Sequence, residues 1–325
     1  MQSGAVPEPD LTGIARLAAQ SELLEARRVV RYYEIDTRSA LNRVRSGMPF
    51  HYSLNPYRGC EFGCKYCYAR YTHEFMELRE ADEFETQIYA KRNLAPILAG
   101  ELRKVRPGEM IAIGTATDPY QPAERRYGRT RSILELFAKR SGLSVSITTK
   151  SDLIRRDVEL LRAVSERNTV SVNMTITTLD VGLARELEPK APRPDLRLRA
   201  VRDLANAGIN VGVFPNPVMP LITDQEARLN ALAKAAREHG AEYFGGGPLF
   251  LMPSAQRVFF PFVAKHYPLL LRRYRERYES DAYLKGPYLD LLRTRLAKVR
   301  AANGLAAGPR APKPGLEVAA QGRLF

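Results

Sequence analysis

From about residue 50 onward, short β-rich runs alternate with helical segments, and this alternation limits the possible folds more than any other feature. Six runs fit strands: HYSLN, MIAIGT, LSVSITT, TVSVNMTIT, INVGVF and AEYFG. Helices are expected between them, near residues 85–105, 125–140, 152–166, 195–207 and 224–239. Such alternation predicts an α/β fold whose parallel strands are joined by right-handed crossovers. Six units fit a partial (β/α)6 barrel of the TIM type, and a doubly wound open sheet is the alternative.

Three glycines mark boundaries in this pattern. Gly142, Gly208 and Gly240 each follow a helical stretch and precede a strand. A residue with left-handed backbone often closes a helix at this position, and glycine adopts that conformation most easily. We therefore expect a positive φ at all three.

Two neighbouring strands carry polar side chains on one side. Ser171 and Asn173 alternate with apolar residues in one strand, and Ser146, Thr148 and Lys150 share one side of the other. A parallel strand that is buried on both faces is usually apolar throughout, and barrel interiors favour branched apolar side chains. The pattern predicts a barrel interior lined for a polar ligand. An edge strand with one solvated face is the alternative.

The flanking segments differ from the barrel in composition. Residues 1–45 are expected to form a helical N-terminal extension, and residues 46–255 the barrel. Residues 256–302 combine many arginines with aromatic residues such as Tyr283, and we expect a basic helical C-terminal region. Residues 303–325 are rich in glycine, alanine and proline, which predicts a disordered tail.

The charge balance bears on partners and location. The chain has 50 basic and 36 acidic residues, a formal net charge of +14. Such a surplus attracts polyanions because lysine and arginine displace counterions from phosphate, although arginine enrichment across a genome would give the same balance. No apolar run approaches the roughly 18 residues of a membrane span, and the polar N-terminus does not fit a secretory signal. We expect a cytoplasmic protein without a membrane segment.

All three cysteines lie within eight residues, in the segment NPYRGCEFGCKYCYARYTHEF. Cys60, Cys64 and Cys67 have the spacing C-x3-C-x2-C, and thiolates suit zinc or iron–sulfur clusters. A structural zinc site needs four ligands, and only His73 lies near these cysteines in sequence. A [4Fe–4S] cube on three cysteines leaves one iron open for a small molecule. Zinc and a closed electron-transfer cluster remain alternatives.

The cysteine segment resembles the signature of the radical S-adenosylmethionine (SAM) superfamily, in which an aromatic residue, here Tyr66, precedes the third cysteine. Together with GTATDPYQPAE, ITTKS and LEPKAP, it resembles the spore photoproduct lyase-like branch, also called DNA repair photolyase-like, over roughly residues 50–265. The resemblance implies a partial barrel with the cluster in the loop after the first strand. It implies that SAM chelates the open iron and that one electron yields methionine and a 5′-deoxyadenosyl radical, which abstracts a hydrogen atom from substrate.

The resemblance also implies roles for individual residues. Cys60, Cys64 and Cys67 would hold the cluster. The implied SAM contacts are Lys150 with the carboxylate, Ser171 with the cofactor, Tyr66 and Tyr68 on the adenine side, Asn173 at the ribose, and Gly114 and Thr115 near the methionine amino group. Two alternatives remain open: Lys150 as a surface charge, and Tyr68 as a ring that shields the cluster without touching SAM.

In one respect this chain departs from the pattern of the spore photoproduct lyase-like branch. Spore photoproduct lyase returns a hydrogen atom to its product through an additional cysteine, and this chain has no fourth cysteine. The hydrogen-atom donor therefore has no assigned residue, although a tyrosine could serve. DNA is one expected substrate, with RNA, a protein side chain or a metabolite as alternatives, and a non-catalytic iron–sulfur module is a further alternative. The expected electron donor is a flavodoxin or ferredoxin.

The C-terminal residues resemble a short docking peptide. Gln321, Leu324 and Phe325 have the spacing found in peptides that bind the bacterial sliding clamp, although Gly322 stands where leucine is usual. A terminal Leu-Phe pair would fill an apolar pocket beside the glutamine. We expect the sliding clamp as a partner, with an unstructured chain end as the alternative.

Overall fold

The computed structural model describes residues 11–26, 29–44 and 47–310. The strands are β1 (Glu22–Ala26), β2 (Arg31–Ile35), β3 (Leu41–Arg43), β4 (Tyr52–Leu54), β5 (Tyr57–Arg58), β6 (Gln87–Lys91), β7 (Met110–Ile113), β8 (Ser144–Thr149), β9 (Thr169–Thr175), β10 (Asn210–Phe214) and β11 (Tyr243–Phe244). The α-helices are α1 (Gly13–Ala19), α2 (Tyr71–Glu74), α3 (Glu83–Thr86), α4 (Leu94–Glu101), α5 (Glu124–Tyr127), α6 (Arg129–Ala138), α7 (Val158–Ser165), α8 (Val181–Leu187), α9 (Pro194–Asn206), α10 (Glu226–Glu238), α11 (Pro253–His266), α12 (Leu271–Tyr278) and α13 (Pro287–Asn303). Short 3-10 helices lie at Tyr68–Arg70, Leu102–Lys104, Asp152–Asp157 and Pro268–Leu270.

The larger sheet has seven strands in the order β11-β10-β9-β8-β7-β4-β3. All neighbours pair in parallel except β3, which is antiparallel to β4. The six parallel strands follow chain order, so every crossover steps in the same direction. A doubly wound sheet would reverse direction at a switch point. The predicted α/β fold with six parallel strands is confirmed, and within the described residues β3 and β11 are its two edges.

Apolar rows across the parallel strands form the core. Ile147, Val172 and Val211 are register partners on β8, β9 and β10, and all three are fully buried. Leu161 of α7 and Leu204 of α9 belong to the same apolar cluster. Burying each such side chain contributes roughly 1.5–3 kcal/mol of stability, so this cluster holds the helices against the sheet. Gly142, Gly208 and Gly240 have φ of 78°, 77° and 86°, which confirms the predicted helix ends.

A second sheet of four strands, in the order β1-β2-β6-β5, corrects two predictions. Among the described residues, the N-terminal extension is helical only in α1, because β1, β2 and β3 lie in the segment that we expected to be helical. The helix expected over 85–105 is interrupted by β6. All five residues of β6 are buried, and its backbone pairs with β2 and β5. These non-local hydrogen bonds and aromatic packing outweigh the local helical pattern.

Three helices, α11, α12 and α13, make up most of the basic C-terminal region. Tyr274 and Tyr278 of α12 are buried, whereas Arg272 is exposed and pairs with Glu276 one turn later. The ordered chain continues past the expected start of the tail, since Ala306 bridges to β11. Residues 311–325, which include the predicted clamp-binding peptide, lie outside the described residues. None of the described helices combines the length and apolar character needed to cross a membrane.

Candidate metal centre

The loop that follows β5 carries the three cysteines. Cys60 and Cys64 are buried and Cys67 is half-buried, and the Cys67 amide donates to the Cys64 carbonyl at 3.2 Å. Gly59 begins this loop with a φ of 77°, and a Cβ there would lie 2.7 Å from the Gln87 carbonyl oxygen. Only glycine allows so close an approach with this backbone. The cysteine loop is therefore anchored against the second sheet.

The three thiols lie within electrostatic range of one another. Burial raises the pKa of each thiol, that of Cys64 to about 12, and neighbouring thiolates raise the pKa of Cys60 and Cys64 further. Among the described residues, no three His, Cys, Asp or Glu side chains converge as the ligands of one metal ion would. A cube does not require such convergence, because each thiolate binds a different iron atom. Three thiolates on one loop, without a fourth cysteine, therefore fit a [4Fe–4S] cluster in which one iron atom has no protein ligand.

Lys150 lies beside the cysteine loop. It directly follows β8, is half-buried, and its Nζ lies 5.6 Å from the centroid of the Tyr66 ring. Its positive charge opposes the rise in the pKa of Cys64 and Cys67. Burial lowers the pKa of Lys150, but the nearby negative charges of Cys64, Glu188 and Asp118 outweigh burial and raise it. Lys150 is therefore a stable cation next to the thiols.

Asp118 fixes the backbone at Lys150. Its Oδ2 accepts from the Lys150 amide at 2.7 Å, and its Oδ1 accepts from the Thr149 hydroxyl at 2.6 Å. The same Oδ1 accepts from the Tyr120 amide at 2.9 Å. Burial raises the pKa of Asp118. Asp118 belongs to the motif GTATDPYQPAE, but the sequence alone assigned it no role.

Gly114 and Thr115 lie at the carboxyl end of β7. Gly114 has a φ of 88°, and a Cβ there would approach the Thr148 carbonyl oxygen to 2.4 Å. Asn55 Nδ2 donates to Thr115 Oγ1 at 3.0 Å, and the Tyr68 hydroxyl donates to the Thr115 carbonyl. The predicted residues Gly114, Thr115 and Tyr68 therefore meet at one place next to Cys67.

The polar row on β8 and β9 forms a connected hydrogen-bond network. Asn173 Nδ2 donates to Ser146 Oγ at 2.9 Å and to Thr148 Oγ1 at 3.1 Å, and the Tyr243 hydroxyl donates to Asn173 Oδ1 at 2.9 Å. Ser171 is buried, two residues nearer the amino end of β9. The predicted polar row is present, and much of its hydrogen-bonding capacity is used within the sheet. Cofactor contacts by Ser171 and Asn173 stay predictions.

The motif LEPKAP contacts the cysteine loop through Glu188. The Tyr66 hydroxyl donates a hydrogen bond to the Glu188 carboxylate, and Thr177 Oγ1 donates to the same carboxylate at 2.7 Å. Arg197 forms a buried ion pair with Glu188 at 2.5 Å. Burial favours a raised pKa for Glu188, but Arg197 and Lys150 more than offset this and lower it. Glu188 could have been found from its motif, whereas no local pattern marked Arg197.

An exposed aromatic cluster, defined by Tyr68, Phe250 and Tyr283, borders the site. The Tyr68 and Phe250 ring centroids are 5.7 Å apart, and those of Phe250 and Tyr283 are 4.5 Å apart. Tyr283 is 63% exposed, and Tyr68 directly follows Cys67. In the sequence, Tyr68 is marked by its place next to the third cysteine and Tyr283 by the basic, aromatic C-terminal region, whereas no pattern marks Phe250. Two exposed tyrosines and a half-buried phenylalanine therefore form a cluster of rings next to the third cysteine.

The chain resembles known proteins in sequence and in fold. The family model described as the Radical SAM superfamily matches residues 54–232. An uncharacterised protein of Mycobacterium tuberculosis is 38% identical over 298 residues, which cover 89% of this chain and 86% of the relative. An uncharacterised protein of Methanocaldococcus jannaschii is 30% identical over 67% of this chain and 76% of its own length.

Solved structures share the fold at low sequence identity. Spore photoproduct lyase in complex with dinucleoside spore photoproduct matches with a TM-score of 0.62 and 14% identity, covering 93% of this chain and 85% of that one. A variant of that enzyme with bound AdoMet and dinucleoside spore photoproduct matches with a TM-score of 0.61 and 13% identity, covering 83% and 79%.

Proposed function

We propose that this chain, which belongs to the radical SAM superfamily, uses a [4Fe–4S] cluster and SAM to abstract a hydrogen atom from DNA. In this proposal Cys60, Cys64 and Cys67 hold the cluster. When bound, the cluster and SAM together supply a 5′-deoxyadenosyl radical that takes the hydrogen atom. The observation that carries the cofactor part is the position of Lys150, a half-buried cation 5.6 Å from the Tyr66 ring and next to two of the thiols.

The protein's own side chains would bind and orient SAM. Lys150 would pair with the SAM carboxylate, because a cation held by two nearby carboxylates keeps its charge in a partly buried site. Asp118 would keep the Lys150 backbone in place through its 2.7 Å hydrogen bond. Glu188 would hold the Tyr66 ring through the hydroxyl hydrogen bond. Tyr68, Gly114 and Thr115 would complete the SAM site on the side nearest Cys67.

The aromatic cluster of Tyr68, Phe250 and Tyr283 supports DNA as the substrate. Bases of single-stranded or locally opened DNA stack on exposed rings, and each stacked base contributes about 1–3 kcal/mol. Helix α12 lies beside this cluster, since the Tyr278 hydroxyl donates to the Leu249 carbonyl at 3.1 Å. Its Arg273 is exposed and has no ion-pair partner in the described part of the chain. Together with the net charge of +14, these features favour a nucleic-acid strand.

In one step the proposed reaction must differ from that of spore photoproduct lyase, namely the return of a hydrogen atom to the product. The chain has three cysteines, all in the cluster loop, so none is left to return a hydrogen atom to a product radical. We therefore propose hydrogen-atom abstraction from DNA without assigning the dimer-splitting reaction.

Anaerobic reconstitution tests the cofactor part of the proposal. Wild-type protein should carry iron and sulfide in the ratio of a [4Fe–4S] cluster and should form 5′-deoxyadenosine from SAM and dithionite. A variant with Cys60→Ala, Cys64→Ala and Cys67→Ala should lose both the iron and the product. Full iron and sulfide without any 5′-deoxyadenosine would instead favour a non-catalytic iron–sulfur module.

A second experiment tests the substrate class. Salt-sensitive DNA binding should weaken about tenfold in Tyr283→Ala, as loss of one stacking surface predicts. Phe75→Ala is the matched control, because Phe75 is a similarly exposed ring (58%) outside the aromatic cluster. DNA should also raise 5′-deoxyadenosine formation above the level without substrate. Stimulation by RNA or a peptide, with none by DNA, would contradict the proposed substrate.

A further inference from the structure

The second sheet places two basic side chains on one face. Arg58 of β5 pairs with Tyr89 of β6, and Ile35 of β2 pairs with Lys91. Side chains two residues apart on a strand share a face, so Tyr89 and Lys91 point to the same side. Directly paired residues also share a face, which adds Arg58 to that side. Arg58 and Lys91 are therefore diagonal neighbours on one face of the sheet.

Lys91 is buried without a partner. It is 5% exposed, and within the described residues its amine forms no hydrogen bond or ion pair. The Glu101 carboxylate opposes the fall in the pKa of Lys91, but its Oε2 accepts from the backbone amides of Ala40 and Leu41 at 3.0 and 2.7 Å. Burial, aided by the Arg58 charge, lowers the pKa of Lys91 to about 7. Burying an ammonium group without a partner is energetically unfavourable, so its position needs a reason.

Two arginines near Lys91 are also unpaired. Arg58 is half-buried and Arg38 is exposed, and neither has an ion pair with any residue that the structure describes. The nearby carboxylate of Asp36 is already engaged by Arg92, at 3.2 Å. Three basic side chains thus lie together, and the two acidic residues near them, Asp36 and Glu101, are engaged by other partners.

A cavity of about 210 Å³ opens at these side chains, and we call it the N-terminal cavity. Its lining includes Arg38, Arg58 and Lys91, the apolar Ile14 and Leu17 of α1, and one acidic residue, Asp36. Its volume is many times the ~10–15 Å³ that admits one water molecule on this measure. None of its lining residues is among the cysteines or the predicted SAM contacts. The cavity is therefore a separate site, although Arg58 precedes Cys60 by only two positions.

We propose that the N-terminal cavity binds the phosphate group of a ligand through Arg38, Arg58 and Lys91. Arginine presents paired N–H donors that match phosphate oxygens, and lysine adds a compact charge. Three cations exceed what a single carboxylate would neutralise, and they suit the higher charge of a phosphate. The phosphate could belong to inorganic phosphate, a nucleotide or a nucleic-acid backbone. The proposal does not rest on the radical chemistry, because binding needs neither SAM nor a reductant.

The test measures binding of three probes to the full-length holoprotein, in phosphate-free buffer under anaerobic conditions. The probes are inorganic phosphate, adenosine monophosphate and a single-stranded DNA oligonucleotide, each titrated by calorimetry. We expect saturable binding, with the tightest probe identifying the source of the phosphate. In Lys91→Met this binding should weaken at least about tenfold, because a charge-assisted hydrogen bond is lost.

Two further variants make the result unambiguous. Lys104→Met removes an exposed lysine away from the cavity and should bind as the wild type does. Arg38→Ala truncates an exposed side chain at the rim and should weaken binding several-fold, even if Lys91→Met fails to fold. The proposal is overturned if wild-type protein binds none of the three probes, or if the folded Lys91 and Arg38 variants bind them as tightly as the wild type.

Discussion

The Tyr66 hydroxyl donates a hydrogen bond to the Glu188 carboxylate, across 122 positions of sequence. Tyr66 immediately precedes the third cysteine, and Glu188 is the acidic residue of LEPKAP. The backbone reinforces the contact, because the Lys65 amide donates to the Leu187 carbonyl at 2.9 Å. Two motifs that are far apart in sequence therefore form one structural unit around the cysteine loop.

Glu188→Gln should destabilise the protein by about 3–5 kcal/mol, because it leaves the buried Arg197 without its counter-charge. Urea unfolding of the metal-free protein, followed by circular dichroism, would measure the loss. Asp195→Asn is the matched control: it breaks an exposed pair with Arg193 at 2.9 Å and should cost about 1 kcal/mol or less. Combining Glu188→Gln with Arg197→Met should recover much of the stability. Equal losses in the Glu188 and Asp195 variants would contradict this account.

Lys150→Met should weaken SAM binding by about tenfold or more while the iron and sulfide contents stay at wild-type levels. The methionine keeps most of the side-chain volume but removes the charge that lies near the thiols. The change that SAM induces in the electron paramagnetic resonance spectrum of the reduced cluster would report binding. Lys139→Met, at an exposed lysine, should behave as the wild type. Unchanged SAM affinity in Lys150→Met would exclude a role for this lysine in binding the carboxylate.

Gly114→Ala should be far more destabilising than Gly108→Ala. Both glycines have a similar φ, 88° and 84°, so both substitutions place a side chain in the left-handed region. Only at Gly114 would the Cβ also meet the backbone, 2.4 Å from the Thr148 oxygen, whereas Gly108 faces open space. Backbone conformation alone costs about 1 kcal/mol, and the additional loss at Gly114 measures the clash. Thermal unfolding of the two variants would compare them, and similar losses would show that the loop moves freely.

The buried Lys91 should make stability depend on pH above neutrality. Its folded-state pKa of about 7 lies below the ordinary value of 10.5, so the unfolded chain holds more protons between these values. Stability therefore rises with pH across this window, by at most about 1.4 kcal/mol per pH unit, and the full cost of the buried charge is present below it. Without phosphate, Lys91→Met should be more stable than the wild type at neutral pH, and its advantage should shrink toward about pH 10. A constant difference would show that Lys91 is not buried as a charge.

Local sequence pattern was sufficient to predict the six parallel strands and the cysteine loop. Each of the six parallel strands lies within a predicted β-rich run, because strand alternation and glycine helix ends are encoded within a few residues. The spacing of Cys60, Cys64 and Cys67 is equally local, and by itself it indicates a metal-binding loop. The alternation of β8 also predicted correctly that Ser146 and Thr148 share one side, where both accept from Asn173.

Only the tertiary structure decided which distant residues meet. The strand β6 lies where a helix was expected, because β2 and β5 satisfy its backbone from both sides. Arg197 reaches Glu188 from a different helix, and Lys91 lies beside Arg58 because two strands pair at that register. Such contacts depend on how elements pack rather than on their own periodicity, so a single sequence carries no local signal for them. The cysteine loop follows from residues close together in the chain, whereas its surroundings and the N-terminal cavity follow from the packing.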